Sequence, residues 1–106
     1  MKHEEIELHD ANLKSTTVDY VSQTVVLEID YHLFSEQGRS RIAASFKFSG
    51  VSTYNENSSI DELKKHSIFG NISSWIPAFE LGTTYIYLAR GFISITAMEL
   101  EVINHA

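Results

Sequence analysis

The last quarter of the chain, TTYIYLARGFISITAMELEV from Thr83 to Val102, constrains most strongly what this sequence can fold into. Apolar and polar residues alternate on both sides of Arg90-Gly91, the period-2 pattern of two antiparallel strands joined by a tight turn. Leu88 is expected opposite Ile93 and Ile86 opposite Ile95, while Tyr85 and Tyr87 share the other face with Ser94 and Thr96. After Ala97 the apolar parity switches, from Ile93, Ile95 and Ala97 to Met98, Leu100 and Val102. A period-2 strand changes faces only through a bulge or a bend. The last strand is therefore expected to pass from one packing layer to another.

A second hairpin lies upstream. Val25, Leu27, Ile29 and Tyr31 share one face, and Ile42, Ala44, Phe46 and Phe48 share a face on the following strand. With a loop over Leu33 to Gly38, folding back pairs Ile29 with Ile42, Leu27 with Ala44 and Val25 with Phe46. That register sets Asp30 beside Arg41 on the solvent side. Before it, Ile6 and Leu8 alternate with acids as in a short strand, Asp10-Ala11-Asn12 reads as a turn, and Leu13 to Tyr20 reads as a strand. Val21-Ser22 makes the next turn.

Asn55 to Ser59 reads as polar loop. Ser59-Ile60-Asp61-Glu62 then has the form of a capping box opening a short helix over about 60–68, with Ile60, Leu63 and Phe69 on its apolar side. Lys64, Lys65 and His66 fall in its last turn, where positive charge complements the dipole. Asn71 to Ile76 is another strand, stopped by Pro77, the only proline. About seven strands and one helix define an all-β domain, either an antiparallel sandwich or a partly closed barrel. At 106 residues the chain is expected to be one domain.

Composition narrows the chemistry. There is no cysteine, which removes disulfides, thiolate metal sites and cysteine nucleophiles. The five histidines, His3, His9, His32, His66 and His105, never fall two or four apart, so no metal-ligand spacing exists. No serine sits in a nucleophile elbow, and no glycine-rich phosphate loop occurs. Neither cofactor nor metal is implied. Eight basic against fourteen acidic residues give a net charge of −6, which disfavours nucleic acid and favours a neutral or basic partner. No apolar run reaches membrane-spanning length, and the acidic start lacks signal-peptide order, so a cytoplasmic location without membrane contact is expected.

Several residues are candidates for binding. His9 and Asp10 are adjacent, but neighbours on a strand point to opposite faces and form no dyad unaided. Trp75, the sole tryptophan, is either a packing residue or an interface anchor. Tyr85 and Tyr87 raise the same question on the terminal hairpin.

ELHDANL, SIFGNISSWIP and the closing IYLARGFISITAMELEV resemble a group of small bacterial all-β domains with an LHDxxL-type start. The likeness rests on Leu8, His9, Asp10 and Leu13 at one end and Tyr87, Gly91 and Ala97 at the other, and spans Leu8 to Val102. Some members act as immunity proteins in polymorphic-toxin systems, so the resemblance implies stoichiometric, non-enzymatic binding of a basic toxin. Glu4, Glu5, Glu7, Glu28 and Asp30 would supply the field, with Trp75 or Tyr54 as anchor. The competing class is a small-ligand-binding β-barrel, conceivably an enzyme, with Tyr85, Tyr87, His9 and His32 near a pocket. A third expectation is a homodimer formed by pairing exposed strand edges.

Overall fold

A computed structural model describes residues 6–35, 38–68 and 70–105. Eight strands and one helix follow in order: β1 (Asn12–Asp19), β2 (Thr24–Ser35), β3 (Gly38–Ser49), β4 (Thr53–Asn57), α1 (Ile60–Lys65), β5 (Ile72–Ile76), β6 (Gly82–Leu88), β7 (Gly91–Ala97) and β8 (Glu99–His105). They form two antiparallel four-stranded sheets, ordered β1-β2-β3-β8 and β4-β7-β6-β5. The sheets do not close on each other, so the fold is a sandwich and not a barrel.

The faces follow the period-2 pattern. Val25, Leu27, Ile29 and Tyr31 of β2 and Ala44, Phe46 and Phe48 of β3 are buried against Ile86, Leu88, Ile93 and Ile95 of the other sheet. Each fully buried side chain of this size contributes about 1.5–3 kcal/mol. The registers differ from the sequence expectation by two residues in both hairpins. Ile29 pairs with Ala44 and Leu27 with Phe46, and Ile86 pairs with Ile93. A two-residue slip leaves every side chain on its face, so apolar matching does not detect it, and the turn decides. β2 runs to Ser35 and β3 starts at Gly38, while Leu88 pairs with Gly91 across a two-residue loop. Both loops are shorter than the pattern implied. Arg41 consequently lies opposite His32, not Asp30.

The parity switch after Ala97 marks the expected layer crossing. Ala97 ends β7 in one sheet, Met98 is exposed, and Leu100 is buried on β8 in the other. The chain crosses in the opposite sense between β3 and β4, and the two crossings touch. Met98 donates its N–H to the Ser49 carbonyl at 3.0 Å. Gly50 has φ 65, and a Cβ there would lie 2.7 Å from Met98 Cγ.

Three expectations are corrected. Asn55 to Asn57, expected to begin a loop, complete strand β4 with Thr53 and Tyr54, because β7 supplies the backbone partners that their polar side chains do not advertise. Ile6 and Leu8 are buried without belonging to a strand. Their segment straps the outer edge of β5: Asp10 N–H donates to the Ile72 carbonyl and Ile72 N–H to the Ala11 carbonyl, both at 3.0 Å. The helix is shorter than expected and buries none of its residues. Ser59 caps it by accepting from Glu62 N–H, and Leu63 packs on the core, but Ile60 is exposed. Phe69 lies outside the described residues.

Candidate functional site

The sandwich has two unlike outer faces. On β1-β2-β3-β8, the outward residues of β2 and β3 include Glu28, Asp30, His32, Arg41 and Lys47, and β8 adds Glu99, Glu101 and His105. These charges are largely matched. Lys14 Nζ lies 3.6 Å from Asp30 Oδ2, Ser45 donates to Glu28 at 2.8 Å, and Arg41 donates to His32 Nε2 at 3.4 Å. Lys47 stands opposite Glu101. Such exposed pairs add little stability but leave a surface of mixed sign.

The outer face of β4-β7-β6-β5 carries no acidic or basic side chain among its strand residues. Register defines its rows. Ser74, Tyr87, Phe92 and Asn57 form one row, Ile76, Tyr85, Ser94 and Asn55 the next, and Thr83, Thr96 and Thr53 the last. Side-chain contacts confirm the shared face: Thr83 Oγ1 and Thr96 Oγ1 are 2.8 Å apart, and Asn55 Nδ2 donates to Ser94 Oγ at 3.3 Å. Tyr87 and Phe92, directly opposite each other, are 40% and 39% exposed, and Ile76 is 56% exposed. With strands about 4.8 Å apart and residues about 3.3 Å apart, the face is a plate of roughly 20 by 20 Å.

Tyr85 and Tyr87 therefore lie together on this plate, and the other candidates do not join them. Glu28, Asp30 and His32 sit on the opposite outer face, and Glu4 and Glu5 lie outside the described residues. Trp75 faces inward, opposite Ile86. Its ring stacks edge-on at 5.4 Å from Phe46 and 5.9 Å from Phe79, and its Nε1–H donates to the Ile6 carbonyl at 3.1 Å. That geometry makes it a seal between the sheets and an anchor for the N-terminal strap.

His9 and Asp10 do meet, contrary to the strand-based expectation. Asp10 has φ 65, and the turn it makes brings Asp10 Oδ2 to 3.5 Å from His9 Nε2. His9 Nδ1–H donates to the Ser73 carbonyl at 2.9 Å. That bond first, then the Asp10 carboxylate, holds the imidazole above its usual value. Both side chains are largely exposed; Nδ1 fastens the strap to β5, and Nε2 faces Asp10 within the strap.

Tyr54 belongs to a third place, the open seam where β1 and β4 edge the two sheets. Clefts of about 430 and 450 Å³ flank it, the first lined by Val18, Val25 and Val51, the second by Leu13, Ile60 and Leu63. The Tyr54 hydroxyl donates to Glu56, whose other oxygen accepts from Ser58 at 2.8 Å. Burial first, then the bond to Glu56, pushes the phenol well above the ordinary tyrosine value, and a hydrogen bond from Thr16 works against this. Among the described residues no group of three His, Cys, Asp or Glu side chains is placed to hold a metal ion.

Sequence reasoning missed Phe92, Ile76 and the asparagines of β4. Phe92 was legible in principle, because correct pairing across the Arg90 turn sets it opposite Tyr87. Asn55 and Asn57 were hidden by reading their segment as loop.

Fold and surface together define an open antiparallel β-sandwich with one charged and one uncharged, aromatic-bearing outer face. Comparison with protein-family models, with curated proteins and with solved structures finds no match for the chain. No helix among the described residues is long and apolar enough to cross a membrane.

Proposed function

We propose that this chain is a non-enzymatic protein-binding module that meets its partner through the outer face of β4-β7-β6-β5. One observation carries the reading: in a chain of net charge −6, a whole four-stranded face is free of acids and bases and displays Tyr85, Tyr87 and Phe92. Desolvating such a face costs no buried charge, and exposed tyrosine and phenylalanine are the side chains that concentrate binding energy. The resemblance to toxin-immunity domains agrees with stoichiometric binding. A neutral plate calls for an uncharged patch on that partner at the point of contact, with the acidic remainder steering the approach of a basic protein.

Capture from cells carrying the gene tests the reading, with wild-type, Tyr87→Glu and Glu28→Lys baits run in parallel. Proteins held by the wild-type and Glu28→Lys baits should be lost on Tyr87→Glu. Retention on all three baits, or loss on Glu28→Lys alone, would overturn it.

Small-ligand binding has a separate observation behind it, the two clefts beside the Tyr54–Glu56 pair. Ligand-induced amide shifts confined to residues 13–25, 51–56 and 60–67 would support that reading.

A further inference from the structure

Four strand edges terminate the two sheets, and three of them are guarded. The N-terminal strap covers β5 through Asp10, Ala11 and Ile72. β1 is bulged between Leu13 and Ser15, and the Asn71 side chain occupies it there. β8 begins with Leu100 N–H bound to the Phe79 carbonyl, and it carries Glu99 and Glu101. Bulges, charges and covering segments are the devices that prevent edge-to-edge association. β4, Thr53–Asn57, is the least protected among the described residues: it contains no lysine, no proline and no bulge, carries a single acid, Glu56, and pairs with β7 in unbroken register.

We propose that β4 is the contact by which two copies of this chain form a symmetric dimer, pairing antiparallel with Asn55 on the two-fold axis. Avoidance of a like-charge contact favours that register. It sets Asn55 against Asn55 of the second copy, Thr53 against Asn57, and Tyr54 against Glu56. The single acid of the strand thus meets a phenol and not its own like charge, on the side where the Tyr54 hydroxyl already donates to Glu56. An isologous contact needs just this self-complementarity. The dimer joins two neutral plates into one continuous eight-stranded face of roughly 800 Å² in plan, the footprint a standard interface needs on each partner, whereas one plate offers about half. The inference stands on the edge and not on the binding role proposed above, and it fails or survives separately from it.

Sedimentation velocity of the full chain, from low micromolar to submillimolar concentration, tests the proposal with three variants. Wild type is expected to be a dimer that dissociates on dilution. Asn55→Lys should weaken self-association by more than about tenfold, since it opposes like charges on the axis. An equimolar mixture of Asn55→Lys and Asn55→Asp should restore the dimer as a mixed pair. Ile103→Lys, which adds the same charge on β8, should leave it intact. A wild-type monomer throughout the range, a dimer indifferent to Asn55→Lys, or failure of the mixed pair to form would overturn the proposal.

Discussion

The side-chain amide of Asn71 pairs with both backbone groups of Leu13, accepting from its N–H at 2.6 Å and donating to its carbonyl at 3.1 Å. It thus acts as a one-residue strand beside the β1 bulge, and its second amide hydrogen reaches the Leu63 carbonyl at the end of α1. Asn71 is 1% exposed, so water cannot replace these bonds. Asn71→Ala strands buried donors and acceptors and is expected to cost about 2–4 kcal/mol. Urea unfolding measures it directly. A loss below about 1 kcal/mol would show that β1 holds its place without the bridge.

Gly91 opens β7 under the chain leaving β4. A Cβ built there would stand 2.1 Å from the Asn57 carbonyl oxygen, a backbone atom that cannot swing aside. Gly91→Ala is expected to destabilise by about 1–3 kcal/mol. Gly82→Ala, whose nearest neighbour is the Ala78 methyl at 3.1 Å, should lose less. Thermal melts of the two variants side by side check the order.

His9 makes the N-terminal strap sensitive to pH. Its folded-state pKa is raised, chiefly by the bond to the Ser73 carbonyl and then by Asp10. Such a group stabilises fully below its unfolded pKa of about 6.5, and the contribution disappears as pH rises through the folded value. Wild type should therefore lose stability relative to His9→Asn between mildly acidic and alkaline pH. The imidazole resonance, followed by NMR, should titrate above the ordinary histidine value; titration at or below that value would contradict the assignment.

Tyr54 should ionise well above the ordinary tyrosine value. Burial first, and then the hydrogen bond to Glu56, raise it. Because the phenol's folded pKa lies above its unfolded value near 10, its contribution holds below that pH and is lost as alkali ionises it. Ultraviolet titration of Tyr54→Phe should lack the slowest, highest-pH component of the wild-type curve. An unchanged curve would refute the bond.

Faces were legible in this sequence, and registers were not. Alternation assigns Ile86, Ile93 and Leu27 to the core however the hairpins slide by two, so their burial followed from period alone. The slide itself is set by two-residue loops whose lengths leave no apolar signature. Loss of parity after Ala97 revealed the layer crossing because burying both Ala97 and Leu100 requires one. TYNEN escaped notice because its strand is imposed by β7 and not by propensity, and the uncharged face escaped with it. Tyr85 and Tyr87 were visible as a pair, but the absence of charge around them emerges only when three neighbouring strands are set in register. The acids Glu28 and Asp30, expected to act with Trp75 or Tyr54 as anchor, lie on the charged outer face, whereas Trp75 faces inward.

Photo-crosslinking in the native cell tests the contact face most directly. A benzophenone side chain replaces Phe92 on the uncharged face in one strain and Lys47 on the charged face in another. Covalent protein adducts should form from position 92 and not from position 47. Adducts from position 47 alone, or equally from both, would contradict the assignment of the uncharged sheet as the working surface.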